Sequence, residues 1–417
     1  MSHVSATILS ATPSIEALSS AIDAAMSTHP LLRSVIVGTG EPERRIDLFQ
    51  MVREGDPDPC SFVVNESLDV GDVLRIVDVD GSDERALERS WREQFANDID
   101  DGSWYERSVR GGEPLWRLTL HRLGTIGGES SPCALIFHSN HCISDQTSVN
   151  MLMDQLLNDV DSIERGDGSG RAVLNNVAVP QDMPMSVEDS VLGIGGRYSE
   201  IGAGGLSTGT LAYVAGTWIR KALEGLRNPV ILPDSSASPG RDGVGIAGAI
   251  STIMGRSAGG ESESASERRT LLQFRDLPVE VTSSLLGACR ANGVSVTNAL
   301  TAAMVLTSSD FVDGGIARKG GEKARNYKVL QSLDMRRFGA RLDECDTVAC
   351  MAGSNDLMHG PVPDRSGEFV RSDPKSGDSQ KLFWDLARDG RDQTKRFIES
   401  DGPVNAVRVF DFAMTIR

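Results

Sequence analysis

Six consecutive residues, Asn140-His141-Cys142-Ile143-Ser144-Asp145, hold the most chemically capable groups of the chain in one short stretch. A histidine titrates near neutrality, so in a cleft His141 can take a proton from an alcohol or amine as that group attacks an acyl carbonyl. Asp145, four residues on, lies across a tight turn and has two roles open to it. It can orient the imidazole, or it can turn away to a cation and hold the turn rigid. Spacing alone also allows a structural histidine beside a capping aspartate. Metal binding by His138 and His141 is disfavoured, because an odd separation on a strand sends the two side chains to opposite faces.

These residues need elements to position them. Residues 116 to 123 alternate Trp116, Leu118 and Leu120 against Arg117, Thr119 and His121, the pattern of a half-buried strand. A Gly- and Ser-containing loop at 124 to 131 leads to a second strand, Cys133 to His141, so the two predict a hairpin. The period then changes from two to 3.6. Val149, Leu152, Leu156, Val160 and Ile163 share one helical face, with Ser144 and Asp145 placed to cap the helix. His141 therefore falls at a strand-to-helix junction, where clefts form at the end of a sheet. Upstream, Thr12-Pro13 reads as a cap with proline at the first helical position, followed by Ile15, Leu18, Ile22 and Met26 on one face and a stop before Pro30. Downstream, residues 269 to 275 read as a strand. Two helices follow, one carrying Val281, Leu285, Ala288 and Cys289 and ending at Asn292-Gly293, the other capped by Thr297 and carrying Leu300, Met304 and Phe311. A strand from Tyr327 to Asp334 and a helix at about 380 to 400 with Phe383, Leu386, Phe397 and Ile398 complete the regular patterning.

The 417 residues carry a net charge of −17 and are 39% apolar. At roughly 150 residues per domain that length allows two or three domains. The acidic mean field argues against nucleic-acid partners and against a polybasic membrane anchor. No apolar run reaches the roughly 18 residues of a membrane span, and the amino terminus lacks the basic start and apolar segment of a secretory signal, so a soluble, cytoplasmic protein is expected. The six cysteines include no CxxC pair. Reduced, mostly buried thiols are expected, and no metal site.

Other motif matches lack their structural context. Gly243-Val-Gly245-Ile-Ala-Gly248 follows a Ser/Pro/Gly loop instead of the strand that a dinucleotide site requires. Gly205-Leu-Ser207-Thr-Gly209 has no strand before its serine, which a nucleophile elbow needs. Gly377-Asp378-Ser379 matches the serine of a carrier domain, but the flanks do not supply the helical bundle, and Ser379 reads as a helix cap. Residues 165 to 268 are rich in Gly, Ser and Pro around one mixed helix near 206 to 226, and 255 to 269 is polar enough to be a disordered loop.

Asn140-His141-Cys142-Ile143-Ser144-Asp145-Gln146 resembles the HHxxxDG motif of the chloramphenicol acetyltransferase-like superfamily, which includes peptide-synthetase condensation domains, polyketide-associated acyltransferases and alcohol O-acetyltransferases. His29-Pro30-Leu31-Leu32-Arg33 resembles that family's HPxLR segment, and Glu113-Pro114-Leu115-Trp116-Arg117 its PLxR strand. Val294 to Ala303 resembles the helix opening its second lobe, and Leu333-Asp334-Met335-Arg336 its DxR strand end. Taken in order, these cover about residues 5 to 400.

The resemblance implies an α/β fold of two similar lobes in a V arrangement, with mixed sheets flanked by helices and a tunnel at the junction. The lobes would be 1–165 with the HxxxD motif and 269–417, joined by a crossover at 166–268. His141 would be the catalytic base, while Asp145 would face away from substrate and pair with Arg336. The implied activity is acyl transfer from an acyl thioester, most simply acyl-CoA, to an alcohol. Acyl-CoA would be a co-substrate, with no cofactor bound and small-molecule donor and acceptor. Condensation with carrier-bound substrates, the carrier supplied in trans, and a catalytically inactive binding protein are the competing readings. Asn140 stands where the first His usually does and Gln146 where the usual Gly does, making both candidates for the channel lining. The family's late DFGWG-type segment has no counterpart, so the C-terminal lobe is expected to be truncated.

Overall fold

The computed structural model describes residues 2–38, 60–80, 83–110, 112–124, 131–166, 183–184, 187–192, 216, 272–315, 326–338, 347–360, 376–400 and 402–407. The helix expected near 206 to 226 (Gly216 apart), the 205–209 and 243–248 motifs and the 255–269 loop lie outside them.

A four-stranded sheet organises the amino-terminal half, in the order β1 (Ser2–Leu9), β6 (Cys133–Asn140), β5 (Trp116–Leu123) and β4 (Leu74–Val79). β6 runs antiparallel to both β1 and β5, whereas β4 and β5 are parallel. One face is covered by α1 (Ile15–Thr28) and α5 (Gln146–Arg165), which pack on each other. Leu18, Ile22 and Met26 of α1 and Val149, Leu152 and Leu156 of α5 meet Leu118, Leu120, Leu135 and Phe137 in one buried core. Each such side chain contributes about 1.5–3 kcal/mol on burial.

The second face is not solvated. α3 (Glu84–Asp100) packs across β1, β5 and β6, so all eight positions of β6 are buried, as are Arg117, Thr119 and His121 of β5. The half-buried strand expected at 116 to 123 is therefore wrong on its polar face, because α3 covers it. Two polar pairs make that cover tolerable. Ser90 Oγ lies 2.9 Å from His121 Nδ1, and Arg117 Nη2 donates to Asp98 Oδ1 at 2.5 Å. α2 (Val70–Val73), α4 (Gly102–Arg110) and the two-stranded sheet of β2 (Ser34–Gly38) with β3 (Cys60–Val64) complete this half.

In the carboxy-terminal half, β7 (Tyr327–Asp334) pairs antiparallel with β8 (Ala352–His359). α9 (Gly377–Glu399) packs on β8 and on α8 (Val296–Gly315), which follows α7 (Val279–Ala291). α6 (Val187–Leu192) contributes Val191 to a cluster with Leu333 and Met335. Val348, Ala349 and Met351, between β7 and β8, enter the core of the first sheet.

Several sequence expectations need correction. Ser14, not Thr12, caps α1, its side chain accepting from Ala17 N, while Thr12 Oγ1 donates to Ser131 C=O. Ser376, not Ser379, caps α9, and Ser379 is buried in the first turn. Residues 272–275 form no strand. At α8, Ser295 takes the capping place of Thr297: its hydroxyl accepts from Asn298 N, and Asn298 Oδ1 accepts from Ser295 N. The face of α8 is misassigned too. Leu300 and Met304 are exposed, whereas Ala299, Ala302, Val305 and Leu306 are buried, Ala299 and Ala302 in the cluster where α8 packs closely on α9. The side chain of Phe311 lies outside the described residues. α7 ends as expected: Asn292 caps it and Gly293 takes φ +66°, a left-handed conformation that glycine adopts without a Cβ clash.

Candidate active site

β6 ends at Asn140, and a tight turn must redirect the chain into α5. Asn140 builds that turn. Its side-chain Oδ1 accepts from Cys142 N at 3.2 Å, its carbonyl accepts from Ile143 N, and its own N–H donates to Leu115 C=O at 2.7 Å. Ile143 is fully buried and anchors the turn in the core. His141, between these fixed points, remains half-buried.

Two groups meet the His141 ring. His3, from β1, stacks on it with ring centroids 5.3 Å apart. Cys350 Sγ lies 3.6 Å from its Nδ1. His3 is placed by β1–β6 pairing, which sets it opposite Ser139. Its Nδ1 lies 3.2 Å from Ser144 Oγ, which is 2.6 Å from Ser139 Oγ, and its Nε2 is 3.4 Å from Gln146 Oε1. Burial lowers the pKa of His3, against the opposing hydrogen bond that its Nε2–H donates to Gln146 Oε1.

Asp145 points away from the His141 ring. As the N-cap of α5 it accepts from Ser148 N at 2.8 Å. Both its carboxylate oxygens also accept from Arg336 Nη1, at 3.1 and 2.9 Å, and Oδ2 accepts from Met351 N at 2.8 Å. Burial by itself would raise the carboxyl, but hydrogen bonds from Arg336 and the Ser148 and Met351 N–H groups outweigh it and hold Asp145 below the usual carboxylate range. On Arg336 the same balance runs in reverse, and Asp145 pushes the guanidinium further up. Of the two roles open to Asp145, the geometry is that of a buried carboxylate bound to a cation at the turn.

Arg336 also ties the two halves together. Its Nη2 donates to Ser148 Oγ at 2.6 Å and to Ala349 C=O at 3.0 Å, and its Nη1 donates to Asp334 Oδ1 at 3.2 Å. Ser148 Oγ in turn donates to Ala349 C=O at 2.6 Å and accepts from Ala349 N at 3.0 Å. One guanidinium, one carboxylate and one hydroxyl thus fix segment 348–351 against the start of α5.

The sequence-derived residues separate as follows. Asp145 and Arg336 pair at the turn that carries His141, which is half-buried while the ion pair is buried. Asn140 is 4% exposed and spends its side chain on the turn. Gln146 is exposed beside His3, and its Nε2 donates to Asn150 Oδ1. His138 lies on the far face of the sheet against Trp104, with ring centroids 4.0 Å apart. Burial, reinforced by Arg117, pushes it down to about 3, so it is neutral beside Asp98. His3, Ser139, Ser148 and Cys350 escaped sequence reading, and Ser144, read as a cap together with Asp145, instead meets His3 and Ser139. Among the described residues, no group of three or more His, Cys, Asp or Glu is arranged to hold a metal ion, and no helix is long and apolar enough to cross a membrane. Of the described cysteines, Cys133 and Cys289 are buried, Cys350 is half-buried and Cys142 is exposed.

No protein-family model matches the sequence, and no curated protein sequence matches it. Solved structures do match. The trichothecene 15-O-acetyltransferase from Fusarium sporotrichioides superposes with a TM-score of 0.58 at 14% identity, covering 99% of this chain and 71% of that one. The first condensation domain of the calcium-dependent antibiotic synthetase, in complex with a substrate analogue, gives 0.51 at 14% identity, over 95% and 68%. Polyketide synthase associated protein 5 from Mycobacterium tuberculosis gives 0.50 at 13% identity, over 97% and 71%. The fold is a mixed α/β fold, similar to that of these acetyltransferase and condensation-domain structures. The chain spans about 70% of the length of these structures.

Proposed function

We propose that the chain is an acyltransferase that moves an acyl group from a thioester, most simply acyl-CoA, to an alcohol, with His141 as general base. Its two α/β halves would form a V, with donor and acceptor meeting at the junction. The observation that supports this reading best is the arrangement around His141. The imidazole is half-buried on a turn held by hydrogen bonds, and the neighbouring carboxylate is bound to Arg336 instead. His141 takes the proton of the attacking hydroxyl, and the imidazolium returns it to the departing thiolate. Acyl-CoA serves as co-substrate and no bound cofactor takes part. Asp145 and Arg336 act as positioning residues, since both are buried and bound to each other.

A condensation-type reaction with a carrier-bound donor differs only in what bears the thiol. The test supplies acyl groups both on CoA and on N-acetylcysteamine, a minimal mimic of a carrier's arm, with a panel of alcohols and amines as acceptors. Thiol release that requires an acceptor alcohol and forms an ester supports the proposal. Amide formation from the carrier mimic alone would favour condensation, and no acceptor-dependent thiol release from either donor would refute acyl transfer.

A further inference from the structure

The start of α8 borders a cavity whose lining includes neither His141 nor the Asp145–Arg336 pair. The cavity, about 340 Å³, lies between that helix end, Gln331 of β7 and the last turns of α9. Asn298, only 5% exposed, is part of its wall. The neighbours of this side chain settle which way its amide points. Ser295 N can only donate, and it donates to Asn298 Oδ1 at 3.2 Å, as the Ser295 hydroxyl does at 2.7 Å. Nδ2 is thereby turned away from the cap and meets no acceptor among the described residues. Buried polar groups are as a rule hydrogen-bonded, so an unpaired amide in a cavity wall points to an acceptor on a ligand. Backbone donors stand beside it. α8 runs for 20 residues, and the N–H groups of Asn298 and Ala299 are taken by Ser295 Oγ and Ser295 C=O. Those of Val296 and Thr297, the first two of the helix, have no acceptor within it and sit at the positive end of its dipole.

We infer that this cavity binds the phosphate group of a small molecule. The charged side chains of its lining are Arg391, Lys395 and Glu399, two cations against one carboxylate on a chain whose net charge is −17. Arg391 is held in place, donating to Gly293 C=O at 2.8 Å and to Asp392 Oδ1 at 2.9 Å. Lys395 lies 3.7 Å from Glu399 in an exposed pair, and such pairs are too weak to keep the ammonium from a stronger partner. A phosphomonoester brings about −1.5 to −2 charge at pH 7 and three acceptor oxygens. It can therefore accept from the helix end and Asn298 on one side and from Lys395 on the other, where a carboxylate has one charge and two oxygens. The volume falls in the range of small-molecule sites, roughly 300–1,000 Å³, and leaves room for a carbon skeleton against Ile398. Two sources share this chemistry: the phosphates of CoA itself, or a separate phosphorylated acceptor or effector. The inference goes beyond acyl transfer at His141, and binding reads it without turnover.

The experiment titrates the full chain with inorganic phosphate, with CoA and with pantetheine, which has no phosphate, by isothermal calorimetry. The expected result is saturable binding of one phosphate per chain. Asn298→Asp keeps an oxygen for Ser295 N and Oγ, so α8 stays capped, but it sets a carboxylate where the amide donor was. Like charges placed together cost several-fold factors at least, and this variant should weaken phosphate binding about tenfold or more. Lys395→Gln, on the exposed face of α9, should weaken it about two- to fivefold, and Glu399→Gln should tighten it. The two sources then separate. If CoA displaces phosphate, loses affinity in Asn298→Asp and outbinds pantetheine, the cavity takes the phosphates of CoA. If phosphate still binds to the CoA-saturated chain, the cavity takes a separate phosphorylated molecule. No saturable binding of phosphate or CoA, or equal affinities in wild type and in an Asn298→Asp variant with wild-type thermal unfolding, would overturn the inference and leave acyl transfer by His141 untouched.

Discussion

Replacing Asp145 with alanine removes four hydrogen bonds at once: two from Arg336 Nη1, one from Ser148 N and one from Met351 N. The Arg336 guanidinium, 7% exposed, then keeps Ser148 Oγ, Ala349 C=O and Asp334 as partners but loses its buried counter-charge. Breaking a buried pair from one side costs about 3–5 kcal/mol, a large share of the roughly 5–15 kcal/mol by which folded proteins are stable. Arg336→Ala should fall at the lower end of that range. The abandoned carboxylate still accepts two backbone N–H groups and sits at the positive end of α5. In urea unfolding, both variants should lower the midpoint with an unchanged slope, and the double mutant should cost less than the sum of the singles by about 0.5–3 kcal/mol. Acid should narrow the gap. The Asp145 carboxyl is depressed in the folded state, so its contribution is present above the ordinary carboxylate pKa of about 4 and is lost as pH falls through the folded value. Single mutants within about 0.5 kcal/mol of wild type, or strictly additive costs, would refute the reasoning.

Three further outcomes follow from other parts of the molecule. Ser148→Ala leaves Ala349 N and Arg336 Nη2 without their shared hydroxyl and should cost about 1–3 kcal/mol in the same unfolding assay. His138, pushed down to about 3, stays neutral in the fold while the unfolded chain protonates below about 6.5, so stability should decline as pH falls between those values. His138→Gln should flatten that decline in thermal melts at stepped pH. Leu300→Gln on the exposed face of α8 should change stability by less than about 0.5 kcal/mol, whereas Ala302→Leu, overpacking the buried face, should cost about 1–3 kcal/mol.

Short-range patterning was legible where a single neighbour decides burial. The β5–β6 hairpin, the α5 face from Val149 to Val160 and the turn at Asn292-Gly293 could all be read from periodicity and turn chemistry. The burial of Arg117 and His121 could not, because it depends on α3, whose charged sequence gives little apolar signal. On α8, hydrophobicity pointed to Leu300 and Met304, yet the face packed closely on α9 presents Ala299 and Ala302. At the site, His141 and Asp145 were visible because the turn makes them neighbours. His3, 138 residues away from His141, arrives through strand pairing, and Cys350 arrives through the embedding of segment 348–351. Long-range register of that kind leaves no local pattern in the sequence.

The most direct test of the account is acyl transfer by His141→Ala. Removing a general base typically lowers turnover by about 10²- to 10⁴-fold, and since His141 sits on a turn built by Asn140 and Ile143, the variant should keep wild-type unfolding behaviour. Measured as ester formation from acyl-CoA and alcohol under saturating donor, the account predicts a loss within that range in a folded protein. A folded variant whose turnover stays within about twofold of wild type, well short of the loss expected for a general base, would contradict it.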